Sequence, residues 1–96
     1  MNPVEQKVLA LIDEKEVVEF LQGLIRCRST YPPGDTRDAA AYCEDKLKSA
    51  GLHTVFVYPD EHVKSIWDDQ VDHRKIPSVI GTLHGKKERP VLLFNA

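Results

Sequence analysis

The sequence predicts an α/β fold in which helices are followed by three strands of a mixed sheet. Apolar residues recur at helical spacing in three stretches before residue 51, and runs rich in β-branched and aromatic residues follow. The last run, Val91 to Phe94, is apolar without alternation, which is typical of a strand buried on both faces of a sheet. A chain of 96 residues allows one domain or part of one.

Two helices are predicted in the first 27 residues. Asn2 before Pro3 resembles a helix cap followed by proline at the first helical position, and it predicts a helix over residues 4–12. Asp13 begins a second capping pattern, which predicts another helix over residues 14–27. The two apolar stripes are rotated by more than a quarter turn, so one straight helix could not bury both.

A connecting loop and a third helix come next. The segment 29–34 contains two adjacent prolines and a glycine, which exclude a helix there. Asp35 is expected to cap a helix over residues 36–50. Gly51 suits a left-handed position after that helix, and Leu52 is expected to pack back on it in a Schellman motif.

Three strands are predicted in the second half of the chain, over residues 54–58, 79–84 and 91–95. The connection over residues 60–75 is charged and longer than a hairpin needs, which suggests a lid, a docking surface or a partly ordered insertion. Residues 85–90 form a polar turn.

Composition restricts the function classes. Hydrophobic residues make up 42% of the chain, charged residues 29%, and the formal net charge is −2, so neither disorder nor a basic surface for nucleic acid is indicated. Glu5 and Lys7 interrupt the apolar residues near the N-terminus, and no apolar stretch approaches the roughly 20 residues that span a bilayer. We therefore expect a cytoplasmic protein.

Histidines and acidic residues are the first candidates for metal binding. The four histidines are His53, His62, His73 and His84. Their spacing matches no compact zinc pattern, so we expect them to face solvent or to lie at strand ends. The acidic part of the long connection contains Asp68, Asp69, Asp72 and His73, which makes it a second candidate for binding a cation. It lacks the alternation and the turn glycine of an EF-hand, which favours a solvated loop.

Other reactive side chains also have simpler interpretations. The candidates are the basic residues Lys86, Lys87 and Arg89, the glycines Gly81 and Gly85, the serines Ser29 and Ser78, and the cysteines Cys27 and Cys43. The basic turn is interrupted by Glu88, the glycines do not form a phosphate loop, and the serines lack a nucleophile elbow. We expect the cysteines to be reduced thiols without a function. No catalytic residue and no metal ligand is predicted within the chain.

The order of the motifs nevertheless resembles a known family. The series consists of Leu24-Ile25, the loop over 29–34, Gly51-Leu52, the run from Pro77 to Leu83, and Pro90 to Phe94. It resembles the start of the zinc-dependent peptidase family that includes acetylornithine deacetylase, succinyl-diaminopimelate desuccinylase, aminoacylase and glutamate carboxypeptidase. The resemblance covers roughly residues 17–96 and depends on the order and spacing of individually weak motifs.

The resemblance implies that the chain is the N-terminal part of a single three-layer α/β/α catalytic domain, with the rest of the domain absent. In the family, the strand corresponding to Val91 to Phe94 runs into a His-x-Asp motif, so the first zinc ligand is expected immediately after Ala96. The parent would be a homodimer that uses two zinc ions roughly 3.5 to 4 Å apart and a glutamate base. It would cleave amide bonds of small N-acyl amino acids or short peptides, and this segment alone would be inactive.

Some residues depart from the family pattern, and a second interpretation stays open. Ser78 stands where relatives often have asparagine, and Ala96 where glycine is common, which leaves the substrate open. The alternative is a small non-catalytic α/β module whose connection over residues 60–75 and open sheet edge bind another protein by strand addition.

Overall fold

The fold is small and consists of helices and an antiparallel pair of strands. The structure is a computed structural model, and it describes residues 1–30, 34–60 and 72–96. The helices are α1 (Pro3–Ala10), α2 (Glu14–Arg26) and α3 (Arg37–Ser49), and the strands are β1 (His53–Val57) and β2 (Ser78–Thr82). A 3-10 turn, His73–Lys75, precedes β2. The three predicted helices are therefore present, each one or two residues shorter than expected.

The first two helices begin at side-chain caps. The Asn2 side chain accepts a hydrogen bond from the Glu5 backbone at 2.8 Å, and the Glu5 carboxylate accepts one from the Asn2 backbone at 3.2 Å. This reciprocal pair is a capping box. Asp13 accepts from the backbone of Lys15 and of Glu16 and starts α2. The predicted break between the helices at Asp13 is confirmed.

The start of α3 differs from the prediction. Thr36, not Asp35, is the N-cap residue, and its side chain makes no capping hydrogen bond. The Asp35 carboxylate lies one position earlier, where it accepts from the Arg37 backbone at 3.1 Å and from the Arg37 guanidinium at 2.6 Å. An aspartate readily bonds the backbone two residues ahead of it, which explains why Asp35 supports the helix from outside it.

The end of α3 is a Schellman motif, as predicted. Gly51 has φ +89°, a left-handed conformation that a Cβ would strain. Its N–H donates to the Lys48 carbonyl at 2.9 Å, and the Leu52 N–H donates to the Leu47 carbonyl at 3.0 Å. This turn directs the chain from α3 straight into β1.

The two strands pair in antiparallel register, and the two faces of the sheet that they form differ in their surroundings. Val55 lies opposite Ile80, and Phe56 lies opposite Val79. Phe56 and Val79 are half-buried on the face that α3 covers, whereas Val55 and Ile80 are exposed on the other. Gly81 allows close packing here, because a Cβ would lie 3.1 Å from side-chain atoms of Leu47 and Leu52. One helix thus covers one face of the sheet.

The predicted third strand is absent, so the sheet is not the mixed three-stranded sheet that was expected. Residues 91–96 form no strand, and the side chains from Val91 to Phe94 are 78–85% exposed. A strand is stabilised by backbone pairing with a neighbour and by burial, and this segment has neither in the described part of the chain. The second strand ends at Thr82, so Leu83 and His84, predicted as strand, lie outside it.

No closed core forms in the part of the chain that the structure describes. None of these residues is fully buried, and α1 contacts none of the other described elements. The radius of gyration is 16.9 Å, compared with about 12.5 Å for a compact domain of this length. Among the described helices, none is both long and apolar enough to cross a bilayer.

Candidate functional site

The position expected to precede a metal site is the C-terminal segment, residues 91–96. In the structure this segment is not joined to β1 or β2, and its apolar side chains lie in solvent. Residues 95 and 96, which were expected to lead into a His-x-Asp motif, are exposed as well. The structure therefore does not bring this segment to the end of a sheet.

The histidines are distributed along the second half of the chain. His53 is exposed at the start of β1, and His84 is exposed beyond β2. His73 begins the 3-10 turn, and His62 lies outside the described residues. Across residues 1–30, 34–60 and 72–96, no group of three or more histidine, cysteine or acidic side chains is placed to hold a metal ion.

The acidic connection contains one carboxylate whose neighbours are described. Asp72 accepts hydrogen bonds from the Arg74 backbone at 3.0 Å and from the Arg74 guanidinium at 2.9 Å. The side-chain hydrogen bond from Arg74, followed by its backbone hydrogen bond, lowers the pKa of Asp72 below its usual range. This carboxylate is a structural partner of Arg74. Asp68 and Asp69 lie outside the described residues.

The remaining sequence candidates are dispersed over the surface. Ser29 follows α2 and Ser78 begins β2, and both are exposed. The basic residues of the turn, Lys86, Lys87 and Arg89, are exposed too. Gly81 lies inside β2 and packs against α3, so its role is structural. No two of these side chains are joined by a hydrogen bond among those described.

Two apolar surfaces lack a covering element in the described part of the chain. The open sheet face consists of Val55, Val57 and Ile80, each 46% exposed. The open helix stripe, on α2, consists of Val17, Val18, Leu21 and Ile25. Apolar residues on regular faces at these spacings normally pack against another layer of the same domain. These surfaces are the most informative functional feature of the molecule.

The contact between α2 and α3 was not anticipated from the sequence. The Tyr42 hydroxyl donates to the Phe20 carbonyl at 3.2 Å, and the two rings lie 5.5 Å apart. Gly23 leaves room for this ring, because a Cβ there would overlap Tyr42. A glycine in the interior of an otherwise good helix was the available signal, since it often marks close packing.

Both cysteines lie beside this helix contact. The Cys27 thiol donates to the Gly23 carbonyl at 3.5 Å, and Cys43 follows Tyr42 in α3. Both are free and half-buried. Burial, followed by the charge of the Cys27 thiolate, raises the pKa of the Cys43 thiol.

Comparisons with protein-family models, with curated proteins and with solved structures find no match to this chain.

Proposed function

We propose that this chain is the N-terminal scaffold of a zinc-dependent amide hydrolase that acts on small N-acyl amino acids or short peptides. The proposal begins from the order of the sequence motifs. Leu24-Ile25 lies in α2, Gly51-Leu52 follows α3, and β2 lies within the run from Pro77 to Leu83. The Schellman turn at Gly51 and the close packing at Gly81 give two of these motifs a structural reason.

One observation carries the proposal: the sheet is covered on one face and is apolar on the other. In a three-layer α/β/α domain both faces of the sheet are buried. Here α3 covers Phe56 and Val79, while Val55, Val57 and Ile80 remain exposed. This pattern is typical of a scaffold whose second layer is supplied by other residues.

The accessible surface of the chain is larger than that of a folded monomer of the same mass. The chain exposes 8853 Å², whereas a folded monomer of 10.9 kDa exposes about 5,600 Å². The excess is several times the roughly 800 Å² that each partner buries in a standard interface. The exposed side chains of the open sheet face and of the open helix stripe contribute to this excess, which fits a domain core completed by other residues.

The described residues do not themselves fit a zinc site. No three of their histidine, cysteine or acidic side chains converge, and Asp72 is paired with Arg74. In the proposed enzyme the ligands and the glutamate base therefore belong to residues outside this segment. In the proposed enzyme this segment would provide the strand from which the first ligands extend. We also propose that the parent is a cytoplasmic homodimer.

The proposal commits to a specific continuation of the polypeptide. In the parent gene, the codons after Ala96 are expected to encode His, any residue, and Asp. On a strand, residues two apart point to the same side, so this pair could reach one metal site. A parent gene that continues without this motif contradicts the proposal.

A second candidate function is a non-catalytic module that binds another protein. It is favoured by the open edges of the sheet, since β1 and β2 pair only with each other among the described strands. Exposed strand edges can accept a strand of another chain. A monomeric chain that unfolds cooperatively and captures an extended peptide would support this function over the hydrolase scaffold.

A further inference from the structure

The contact between α2 and α3 is the only one that α2 makes with another described element. It is centred on Tyr42, which bonds the Phe20 carbonyl and fills the space beside Gly23. The rest of the apolar stripe of α2 is exposed. Because a single aromatic side chain makes much of this contact, a covalent link at the same place would strongly restrict the motion of α2.

The two cysteines flank this contact. Cys27 lies one helical turn beyond Gly23, and its thiol reaches back to the Gly23 carbonyl. Cys43 is the neighbour of Tyr42 in α3, and both cysteines are half-buried.

We propose that Cys27 and Cys43 form a reversible disulfide that links α2 to α3 when a low-molecular-weight disulfide such as oxidised glutathione is the oxidant. One cysteine thiolate attacks a glutathione sulfur, which forms a mixed disulfide and releases one reduced glutathione. The second cysteine thiolate then attacks the protein sulfur of that mixed disulfide and releases the other. The protein dithiol loses two electrons and two protons, and oxidised glutathione becomes two molecules of reduced glutathione.

The link would close a loop over residues 28–42, which includes the segment that connects the two helices. Closing such a loop restricts the unfolded chain as well as the folded one, so the disulfide would favour the docked arrangement of α2 and α3. The inference is independent of the hydrolase proposal, because it rests only on the α2–α3 contact.

The test measures how readily the intramolecular disulfide forms in the 96-residue chain. The chain is equilibrated with defined ratios of reduced and oxidised glutathione, in native buffer and in guanidinium chloride. The oxidised product is identified by the loss of both thiols and of about 2 Da in mass. We expect the effective concentration of one thiol with respect to the other to be at least about tenfold higher in native buffer than in guanidinium chloride. Equal values in the two solvents would overturn the proposal.

Variants locate the origin of the effect. Tyr42→Ala removes the ring that holds the helices together. In this variant the effective concentration of the thiols in native buffer is expected to fall close to its value in guanidinium chloride. Asp45→Ala, an exposed position in the same helix, is the matched control and should leave the native value unchanged. Persistent glutathione adducts, disulfide-linked dimers, or an unchanged value for Tyr42→Ala would each contradict the proposal.

Discussion

The two faces of the β1–β2 sheet contain similar apolar residues but differ in their surroundings. On the covered face, Phe56 and Val79 lie under α3 and are half-buried. On the open sheet face, Val55, Val57 and Ile80 are each 46% exposed. Local patterning thus forms β1 and β2, but packing follows only where a helix is connected closely enough to cover them.

The connection between α3 and β1 explains which face is covered. The Schellman turn at Gly51 and Leu52 reverses the chain directly, so α3 lies on the sheet that follows it. By contrast, α1 is well capped but contacts none of the other described elements. Capping can therefore form a helix without packing it into a core. The covered and open surfaces should respond differently to mutation.

The largest expected difference is between the same substitution at a packed and at an open leucine. Leu47→Ala removes a side chain that packs against Gly81 in β2. Because Leu47 is half-buried, we expect a loss of about 2 kcal/mol in the free energy of opening of β1 and β2 amides, measured by hydrogen exchange. Leu21→Ala, on the open helix stripe, should change it by less than about 0.5 kcal/mol. Equal losses would show that Leu21 is packed as well.

The next effect is at the turn that joins α3 to the covered face. Gly51→Ala places a Cβ in a left-handed conformation, which costs about 1 kcal/mol. Faster amide exchange is expected in the last turn of α3 and in β1. The control is Gly85→Ala, an exposed position with only an ordinary contact near the added Cβ. In this variant, amide exchange in the last turn of α3 and in β1 should stay unchanged. A tolerated Gly51→Ala would contradict the role assigned to the Schellman turn.

A smaller effect, confined to one element, is expected at α1. Asn2→Ala removes the capping box and should weaken α1 by about 1 kcal/mol, seen as lower helicity by circular dichroism and chemical shifts. Because α1 contacts none of the other described elements, exchange in α3, β1 and β2 should be unaffected. A loss of protection in the sheet would show that α1 packs on it in solution.

The smallest effect concerns the ion pair before β2. Removing the guanidinium in Arg74→Ala should raise the pKa of Asp72 toward its ordinary value of 3.8, measured by NMR titration. Lys75→Ala removes a lesser cause of the same shift and should raise the pKa less. Since the folded pKa is lowered, the pair stabilises the turn above the unfolded pKa of Asp72, and that contribution is lost as pH falls through the folded value. Equal shifts in the two variants would contradict the dominant role of Arg74.

Local chemistry was predictable where it depends on neighbours in the sequence. The breaks at Asp13 and at Gly51 follow from capping and from backbone conformation, so the sequence predicted them closely. The Tyr42 contact with Phe20 joins separate helices, and helical spacing alone does not identify which residues meet. The third strand was wrong because an apolar run such as Val91 to Phe94 predicts burial without specifying what buries it. The zinc site predicted after Ala96 stays a prediction.

The most direct test of the central claim, that the open surfaces need cover from other residues, is hydrogen exchange across the monomeric 96-residue chain. We predict protected amides in α3, β1 and β2, and nearly unprotected amides in α1 and from Val91 to Phe94. Protection of α1 and of Val91 to Phe94 as strong as that of α3, in a chain shown to be monomeric, would contradict the claim. It would mean that these residues already have their partners within this chain.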